Sequence, residues 1–267
     1  MTVTSAHSDT QTYADELFDW ATTALQGDEV LVHEGDVFGE HRATGQRVPL
    51  AGLTWLTPCV PGKIIGLWNN FRAAAAKNQW AEPAEPLYFL KASSSALAHG
   101  EPIPVPTAYD GRVAFEGELA VVIGRRARHV AVADAPAHIL GYTCTNDVTA
   151  MELIGRDPSF AQWARAKSMD GFGAFGPVIE TDFEPATATL RTLVGGRERQ
   201  NYPLADMFFN PAELVSRLSA DMTLEPGDVI LCGTSLGVLP MKPGTLVEVT
   251  IDGIGTLANT YGGSVSA

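Results

Sequence analysis

Short apolar runs separated by turn residues dominate the hydrophobic pattern of this chain. The segments KIIGLWNN and PLYFLK and residues 113–123 hold consecutive apolar residues, which is typical of strands that enter a core. LRTLVGGRERQN and PGTLVEVTIDGIGTLANTY predict hairpins around Gly195-Gly196 and Asp252-Gly253. Many strands without a βαβ rhythm predict an α+β protein that is mainly β, with an antiparallel or mixed core.

Helical spacing occurs in a few segments. Residues 13–26 carry apolar positions at helical spacing and end at Gly27, which predicts a short helix. FRAAAAKNQW is rich in alanine, and ELVSRLSADMTL has a helical period. MELIGRDPSFAQWARAKSMD predicts a helix followed by a loop. These helices are expected at the edges of the β core.

Turn residues are frequent near the N-terminus, where residues 28–65 read as strands and turns punctuated by glycine and proline. This pattern predicts a small N-terminal subdomain over residues 1–60. The main domain is then expected over residues 61–267.

Composition narrows the functional classes. The net charge is −13 and the pI about 4.8, so phosphate would be repelled and a nucleic-acid partner is not expected. An apolar stretch of membrane-spanning length is absent, and the polar N-terminus does not resemble a signal peptide. We therefore expect a cytoplasmic protein without a membrane partner. Cys59, Cys144 and Cys232 are widely spaced and predict buried free thiols.

Two acidic residues interrupt the apolar pattern of GRVAFEGELAVVIGRR. Glu116 and Glu118 are two apart, and side chains at such positions in a strand share one face. Two carboxylates side by side repel each other unless a positive charge lies between them. A solvated strand end is the simpler explanation, because charged side chains are usually exposed.

A third carboxylate has a similar setting. Asp147 closes the apolar strand of GYTCTNDVTA. Magnesium and similar hard cations take oxygen ligands and commonly use a few carboxylates. Alone, Asp147 would more often be a helix N-cap, so the residues leave both explanations open.

Five motifs in order carry a family resemblance. They are VAFEGELAVVIG, GYTCTNDVTA, WARAKSMDGFGAFGP, RQNYPLADMFF and LEPGDVILCGTSLGV. Together they resemble the fumarylacetoacetate hydrolase family over residues 60–260. The resemblance implies a mixed β-roll or β-sandwich core with peripheral helices, a homodimer, and a bound Mg²⁺, Mn²⁺ or Ca²⁺ ion. It also implies that Glu116, Glu118 and Asp147 are the metal ligands.

The same resemblance implies further site residues. Lys167 matches a lysine near the metal, where its ammonium would stabilise a carboxylate or enolate oxygen, and Asp170 could orient it. Gln200, Thr234 and Gly233 fall on positions that line the substrate pocket. From the residues alone, Lys167 would be a surface lysine and Thr234 a turn residue.

One departure from the family pattern concerns its water-activating base. Hydrolytic members carry a pattern like Gly-Leu-Asn-Tyr-x-x-His-x-x-Glu, whereas this chain reads GLWNNFRAAA. Arg72 replaces the histidine and Ala75 the glutamate, and arginine cannot accept a proton at neutral pH. Arg72 could instead pair with a substrate carboxylate.

These features predict a metal-dependent enzyme that stabilises the enolate of a 2-oxoacid or β-dicarbonyl substrate. The missing dyad favours C–C cleavage, decarboxylation or isomerisation. A C–C hydrolase with another base and a catalytically silent metal-binding protein remain alternatives. The aromatic and apolar character of LWNNF also predicts a bulkier or less charged substrate tail than the smallest oxoacids have.

Overall fold

The computed structural model describes the backbone of residues 2–8 and 22–262 and the side chains from residue 27 to residue 262. Most of the regular structure in the described residues is β-strand. This confirms the prediction of an α+β fold that is mainly β. The strands are β1 Thr2–Ser8, β2 Thr22–Gln26, β3 Glu29–Gly35, β4 His41–Pro49, β5 Leu53–Trp55, β6 Ile64–Trp68, β7 Leu87–Lys91, β8 Ala96–Leu97, β9 Val113–Ala114, β10 Gly117–Ile123, β11 Ile139–Asp147, β12 Thr149–Ala150, β13 Gly173–Glu180, β14 Thr189–Val194, β15 Arg197–Pro203, β16 Val229–Leu231, β17 Thr245–Ile251 and β18 Gly255–Tyr261.

Four short α-helices accompany the strands in the described residues: α1 Arg72–Asn78, α2 Met151–Ile154, α3 Trp163–Lys167 and α4 Pro211–Asp221. Helix α4 begins with a capping box in which the side chains of Asn210 and Glu213 bond each other's backbone N–H groups. Single 3₁₀ turns lie at Ser93–Ser95, Ala135–His138, Pro185–Thr187 and Leu204–Asp206.

The strands form a large curled sheet and a smaller one. The large sheet runs in the order β4-β3-β2-β1-β13-β11-β10-β16-β6-β7, and β5 and β8 pair with β1 and β13. A four-stranded sheet has the order β15-β14-β17-β18, and β9 pairs with β12. The main core fills the space between the two sheets, with Leu119, Val121, Leu190, Val249 and Leu257 among its buried residues.

The predicted strands and hairpins of the main domain are present. Gly195 and Gly196 both adopt positive φ in the β14–β15 turn, and Gly253 does so between β17 and β18. Glycine adopts positive φ without steric penalty, which explains why glycines mark the turns of both predicted hairpins. Strand β1 joins the N-terminal strands to β13 of the large sheet, and the division at residue 60 stays a prediction.

Three local expectations are corrected. Residues 22–26 form strand β2 instead of the end of a helix, because pairing with β1 and β3 outweighs local periodicity; residues 13–21 lie outside the described residues. The strand predicted over 113–123 breaks at Phe115–Glu116, since the Glu116 N–H bonds the Asn146 side chain. The segment 151–170 holds two short helices, of which α3 carries Lys167.

No helix in the described residues has both the length and the apolar content to cross a bilayer.

Candidate metal centre

The three predicted ligands meet where β10 and β11 pair. The antiparallel register places Gly117 opposite Asn146 and Glu118 opposite Thr145. One step further, the Asp147 N–H donates to the Glu116 carbonyl over 2.8 Å, so these two residues also lie opposite each other. Directly opposed residues project to the same face, as do residues two apart. The strand pair therefore gathers three carboxylates on one face, with ligand oxygens within 4.8 Å of one another.

Two buried lysines surround the carboxylate of Asp147. The Nζ atom of Lys91 lies 2.6 Å from Oδ1, and the Nζ atom of Lys167 lies 2.5 Å from Oδ2. Lys91 also donates to the Phe172 carbonyl over 3.0 Å. Charge-assisted contacts of this kind are strong between buried side chains, so Asp147 is firmly held.

The two glutamates are bound differently from each other. Glu116 Oε1 accepts from Thr149 Oγ1 over 2.5 Å and lies 3.0 Å from Lys167 Nζ. Glu118 is fully buried, and its Oε2 accepts the Gly233 N–H over 2.7 Å. Its Oε1 is buried without a hydrogen-bond partner among the described residues.

The three carboxyl groups of the cluster differ in the direction of their pKa shifts. Burial, followed by the charges of Asp147 and Glu116, raises the pKa of Glu118 well above its usual range. Burial also raises the pKa of Glu116, although Lys167 opposes this. Burial alone would raise the pKa of Asp147, but Lys167 and Lys91 together hold it below its ordinary value. Asp147 is thus ionised readily, while the neighbouring Glu118 resists ionisation.

The two lysines also differ. Burial lowers the pKa of Lys91, with Asp147 opposing this effect and Lys167 adding to it. Burial acts in the same direction on Lys167, but Asp147, Glu116 and Glu118 outweigh it and raise its pKa. Lys167 therefore keeps its positive charge beside the acidic cluster.

The donor set fits a hard divalent cation. Oxygen ligands from a few carboxylates suit Mg²⁺, Mn²⁺ or Ca²⁺, and an unpartnered buried carboxylate oxygen is costly unless a cation meets it. Glu118 Oε1 is such an atom. Glu116, Glu118 and Asp147 could hold the ion together.

The residues predicted beside the metal lie at different distances from the cluster. Lys167 is 2% exposed and belongs to it. Asp170 is exposed, and its expected contact with Lys167 is not among the described hydrogen bonds and ion pairs. Arg72 is exposed at the start of α1, where its guanidinium donates to the Met207 carbonyl and lies 4.8 Å from the Phe208 ring centroid.

The residues predicted in the substrate pocket contact strand β10, which carries Glu118. Gln200 Oε1 accepts the Gly117 N–H over 3.0 Å, and Thr234 Oγ1 donates to the Gly117 carbonyl over 3.0 Å. The Gly233 N–H donates to Glu118. Substrate contact by these three residues stays a prediction.

Sequence reasoning missed Lys91. It closes the strand LYFLK, and its side chain is completely buried. The spacing of Phe89 and Lys91 was an available signal, since residues two apart share a strand face and a lysine on the face of a core aromatic residue needs a buried partner.

An aromatic cavity adjoins the cluster. It has a volume of about 400 Å³ and is lined by Trp68, Leu87, Tyr88, Phe89 and Trp163. Phe89 stacks on Trp163 with ring centroids 5.4 Å apart, and Lys167 Nζ lies 5.3 Å from the centroid of the Phe89 ring. The cavity thus begins next to the charged groups.

Comparison with known proteins gives relatives over most of the chain. Protein Rv2993c of Mycobacterium tuberculosis is 42% identical over 225 residues, which cover 83% of this chain and 83% of that protein. Oxaloacetate tautomerase YisK of Bacillus subtilis is 36% identical over 211 residues, covering 74% and 69%. The structure of 5-carboxymethyl-2-hydroxymuconate delta-isomerase from Mycobacterium smegmatis matches with a TM-score of 0.87 at 37% identity, covering 98% and 99%.

Family signatures agree with these relatives. One described as Rv2993c-like, N-terminal matches residues 21–58. Another, described as fumarylacetoacetate (FAA) hydrolase C-terminal, matches residues 63–261 and therefore covers more than half of the chain. With its curled sheet and the carboxylate triad gathered where β10 and β11 pair, this protein belongs to the fumarylacetoacetate hydrolase family.

Proposed function

We propose that this chain is a divalent-metal-dependent enzyme acting on a 2-oxoacid or β-dicarbonyl compound. The reaction is isomerisation, decarboxylation or C–C bond cleavage through an enolate. Glu116, Glu118 and Asp147 hold Mg²⁺ or Mn²⁺, with Ca²⁺ as a further candidate. The observation that carries this proposal is the buried, unpartnered Glu118 oxygen within a triad of carboxylates.

Charge balance supports an anionic substrate. With a divalent cation bound, three ionised carboxylates, the two ammonium groups of Lys91 and Lys167 and the cation together carry one positive charge. A substrate carboxylate complements that charge. The bound cation would supply Lewis-acid stabilisation of negative charge on substrate oxygens.

Lys167 has the geometry of an electrostatic stabiliser. Its ammonium is buried, keeps its proton and touches Glu116 and Asp147. A fixed positive charge in a dry site costs little reorganisation when negative charge develops on a nearby substrate oxygen. Lys91 supports the arrangement from the other side of Asp147 by holding Oδ1.

The surroundings of Arg72 favour enolate chemistry over hydrolysis. Its guanidinium is directed to the backbone of residues 206 and 207, and Ala75 is buried and carries no base. Among the described side chains, no histidine hydrogen-bonds to the carboxylate cluster. The similarity to a tautomerase and an isomerase supports the same choice.

The aromatic cavity supports a substrate with an apolar or aromatic tail. Its rings begin at Phe89, next to the Lys167 ammonium, and continue outward through Trp163 and Trp68. Aromatic side chains favour apolar surface, so a tail extending from the charged end of the substrate would fit there. Assembly as a homodimer stays a prediction.

Turnover of a 2-oxoacid panel tests the proposal. Metal-stripped protein would be reloaded with Mn²⁺ and assayed for enol–keto interconversion and for CO₂ release, using oxaloacetate and 2-oxoacids with aromatic tails. We expect metal-dependent turnover, lost in Glu118→Gln and kept in Glu82→Gln, which changes an exposed glutamate. Better turnover of oxaloacetate than of the bulkier acids would contradict the proposal that the substrate has an apolar or aromatic tail.

Labelled water separates the alternatives. Lyase and isomerase chemistry leaves no solvent ¹⁸O in a new product carboxylate, whereas hydrolysis introduces it. Mn²⁺ binding without turnover of any panel member would identify a silent metal-binding protein.

A further inference from the structure

Gly117 lies between Glu116 and Glu118 in the sequence, and side chains of the smaller sheet pack closely against it. A Cβ atom on this residue would lie 2.2 Å from Thr192 Oγ1 and 3.2 Å from Val249 Cγ2. Thr192 and Val249 are register partners on β14 and β17, so the smaller sheet packs directly onto the Gly117 backbone. A larger residue would push that sheet away from the strand that carries Glu116 and Glu118.

Side chains occupy both backbone polar groups of Gly117. Its N–H donates to Gln200 Oε1 over 3.0 Å. Its carbonyl accepts from Tyr202 Oη over 2.6 Å and from Thr234 Oγ1 over 3.0 Å. Gln200 Nε2 also donates to Thr234 Oγ1 over 2.8 Å. The three side chains thus form one connected set around a single residue, which we name the Gly117 clamp.

The clamp exists because the neighbouring strand ends early. β16 pairs with β10 at Ala120, Val121 and Val122 and then gives way to the loop that begins at Cys232. Buried backbone groups require partners, and next to Gly117 the side chains of Gln200, Tyr202 and Thr234 provide them.

The clamp is itself rigidly held. Gln200 is 1% exposed and Tyr202 is 5% exposed. The Tyr202 ring packs edge-on against Phe71, with centroids 4.9 Å apart. Gln200 pairs with Thr192 across β15 and β14. Because Gln200 and Tyr202 are held in this way, they keep the Gly117 N–H and carbonyl groups in fixed directions.

The two clamped groups belong to the peptide units that join the glutamates to Gly117. The N–H is part of the Glu116–Gly117 peptide, and the carbonyl is part of the Gly117–Glu118 peptide. Rotation of either unit would redirect one carboxylate relative to the other. Partners that orient metal ligands typically change metal affinity by about 10- to 100-fold.

We infer that Gln200, Tyr202 and Thr234 are positioning residues that set the spacing of Glu116 and Glu118 for a divalent cation. This inference rests on the proposed function, because it requires that the triad binds a metal. It assigns to the smaller sheet, together with the loop after β16, the preorganisation of the site on the larger sheet.

Conservative variants test the clamp through Mn²⁺ binding. Tyr202→Phe and Thr234→Val each remove one hydroxyl group, and the double variant leaves the Gly117 carbonyl without its side-chain donors. Calorimetry on metal-stripped protein should give a Kd for Mn²⁺ about tenfold weaker in each single variant and weaker still in the double variant. The electron paramagnetic resonance spectrum of bound Mn²⁺ should change as well.

A matched control removes a buried hydroxyl elsewhere. Ser219 lies on α4, donates to the Ser216 carbonyl over 2.8 Å and accepts the Val130 N–H over 3.0 Å. Ser219→Ala should lower thermal stability and leave the Kd for Mn²⁺ unchanged. A general loss of stability therefore cannot imitate the expected result.

Hydrogen exchange reports on the clamp without metal. Gln200→Met removes the acceptor of the Gly117 N–H, so this amide should exchange faster in the metal-free variant. An unchanged Kd in the double variant, or an equal loss in Ser219→Ala, would overturn the clamp while leaving the proposed function intact. If the unmodified protein binds no Mn²⁺, both ideas fail.

Discussion

Asp228 and Glu118 are both fully buried carboxylates, yet the protein satisfies them in opposite ways. Asp228 accepts the backbone N–H groups of Lys63 and Glu225 over 2.8 and 2.7 Å and pairs with Lys63 Nζ at 2.5 Å. Glu118 accepts one backbone N–H and keeps one oxygen without a partner among the described residues. The contacts of the first carboxylate are all made within the fold, whereas the second keeps one oxygen for the proposed cation.

The neighbourhoods explain this difference. Asp228 is bonded by the Lys63 ammonium and by the backbone N–H groups of Lys63 and Glu225, so its contacts stabilise the fold around β6 and β16. Glu118 lies beside Asp147 and Glu116. Burial is the largest cause of its raised pKa, and the charges of these two residues raise the pKa further. An acidic group placed against other acidic groups lowers stability unless a cation arrives, and such arrangements are concentrated at functional sites.

The largest effect is expected for Glu118→Gln. The amide keeps an acceptor for the Gly233 N–H but removes the charge that a cation needs. Mn²⁺ affinity should fall by about 100-fold or more, while the metal-free protein should be at least as stable as before, because a buried carboxyl group beside two others has become a neutral amide. Calorimetry and thermal unfolding measure the two quantities. Unchanged affinity would show that Glu118 is as structural as Asp228.

Asp228→Asn should give the reverse pattern. One of the two backbone donors or the Lys63 ammonium loses its acceptor, which should lower the free energy of unfolding by about 2–4 kcal/mol. The Kd of the folded protein for Mn²⁺ should not change. Asp134→Asn, at an exposed aspartate, is the charge-matched control for urea unfolding. Weakened Mn²⁺ binding in the folded Asp228→Asn protein would erase the contrast between the two carboxylates.

Lysine variants sharpen the comparison from the cationic side. With Mn²⁺ saturating, oxalate affinity should fall about tenfold in Lys167→Met, because a buried positive charge beside the anion is lost. The fall should be smaller in Lys91→Met, because Lys91 Nζ bonds Asp147 and the Phe172 carbonyl, whereas Lys167 Nζ lies beside Phe89 of the aromatic cavity. Lys63→Met, at the partner of Asp228, should leave oxalate affinity unchanged. Equal effects in all three variants would mean that net charge, not position, controls anion binding.

The smallest effect is expected at a third, partly exposed carboxylate. Glu152 accepts from Tyr109 Oη and from Arg112 Nε, and these bonds lower its pKa from 4.5 to about 2. A lowered pKa means that ionised Glu152 stabilises the folded state above its ordinary pKa, and that this contribution is lost as the pH falls toward about 2.

Glu152→Gln should therefore be slightly less stable than the original protein near neutral pH, and the difference should shrink on acidification. Urea unfolding from about pH 7 to about pH 3 measures it, with Glu82→Gln as the exposed control. The difference should stay small because Glu152 is 40% exposed and water screens its ion pair. A difference that is independent of pH would show that side-chain shape, and not charge, matters at this position.

Local sequence determined several features of this protein correctly. The two-residue spacing of Glu116 and Glu118 requires one face in any strand, and the hairpins follow from glycines that adopt positive φ. The family motifs, each a short local pattern, indicated the fold and a carboxylate triad. These features depend on neighbours within a few residues, where geometry follows directly from residue type.

Tertiary structure decided the rest, because it depends on contacts between distant segments. Lys91 reaches Asp147 from 56 positions away, and Gln200 reaches Gly117 from 83 positions away. Residues 22–26 became a strand because β1 and β3 flank them. No local pattern records which oxygen of Glu118 is left open, since that is set by how β10, β11 and the Gly233 loop pack together and exclude water.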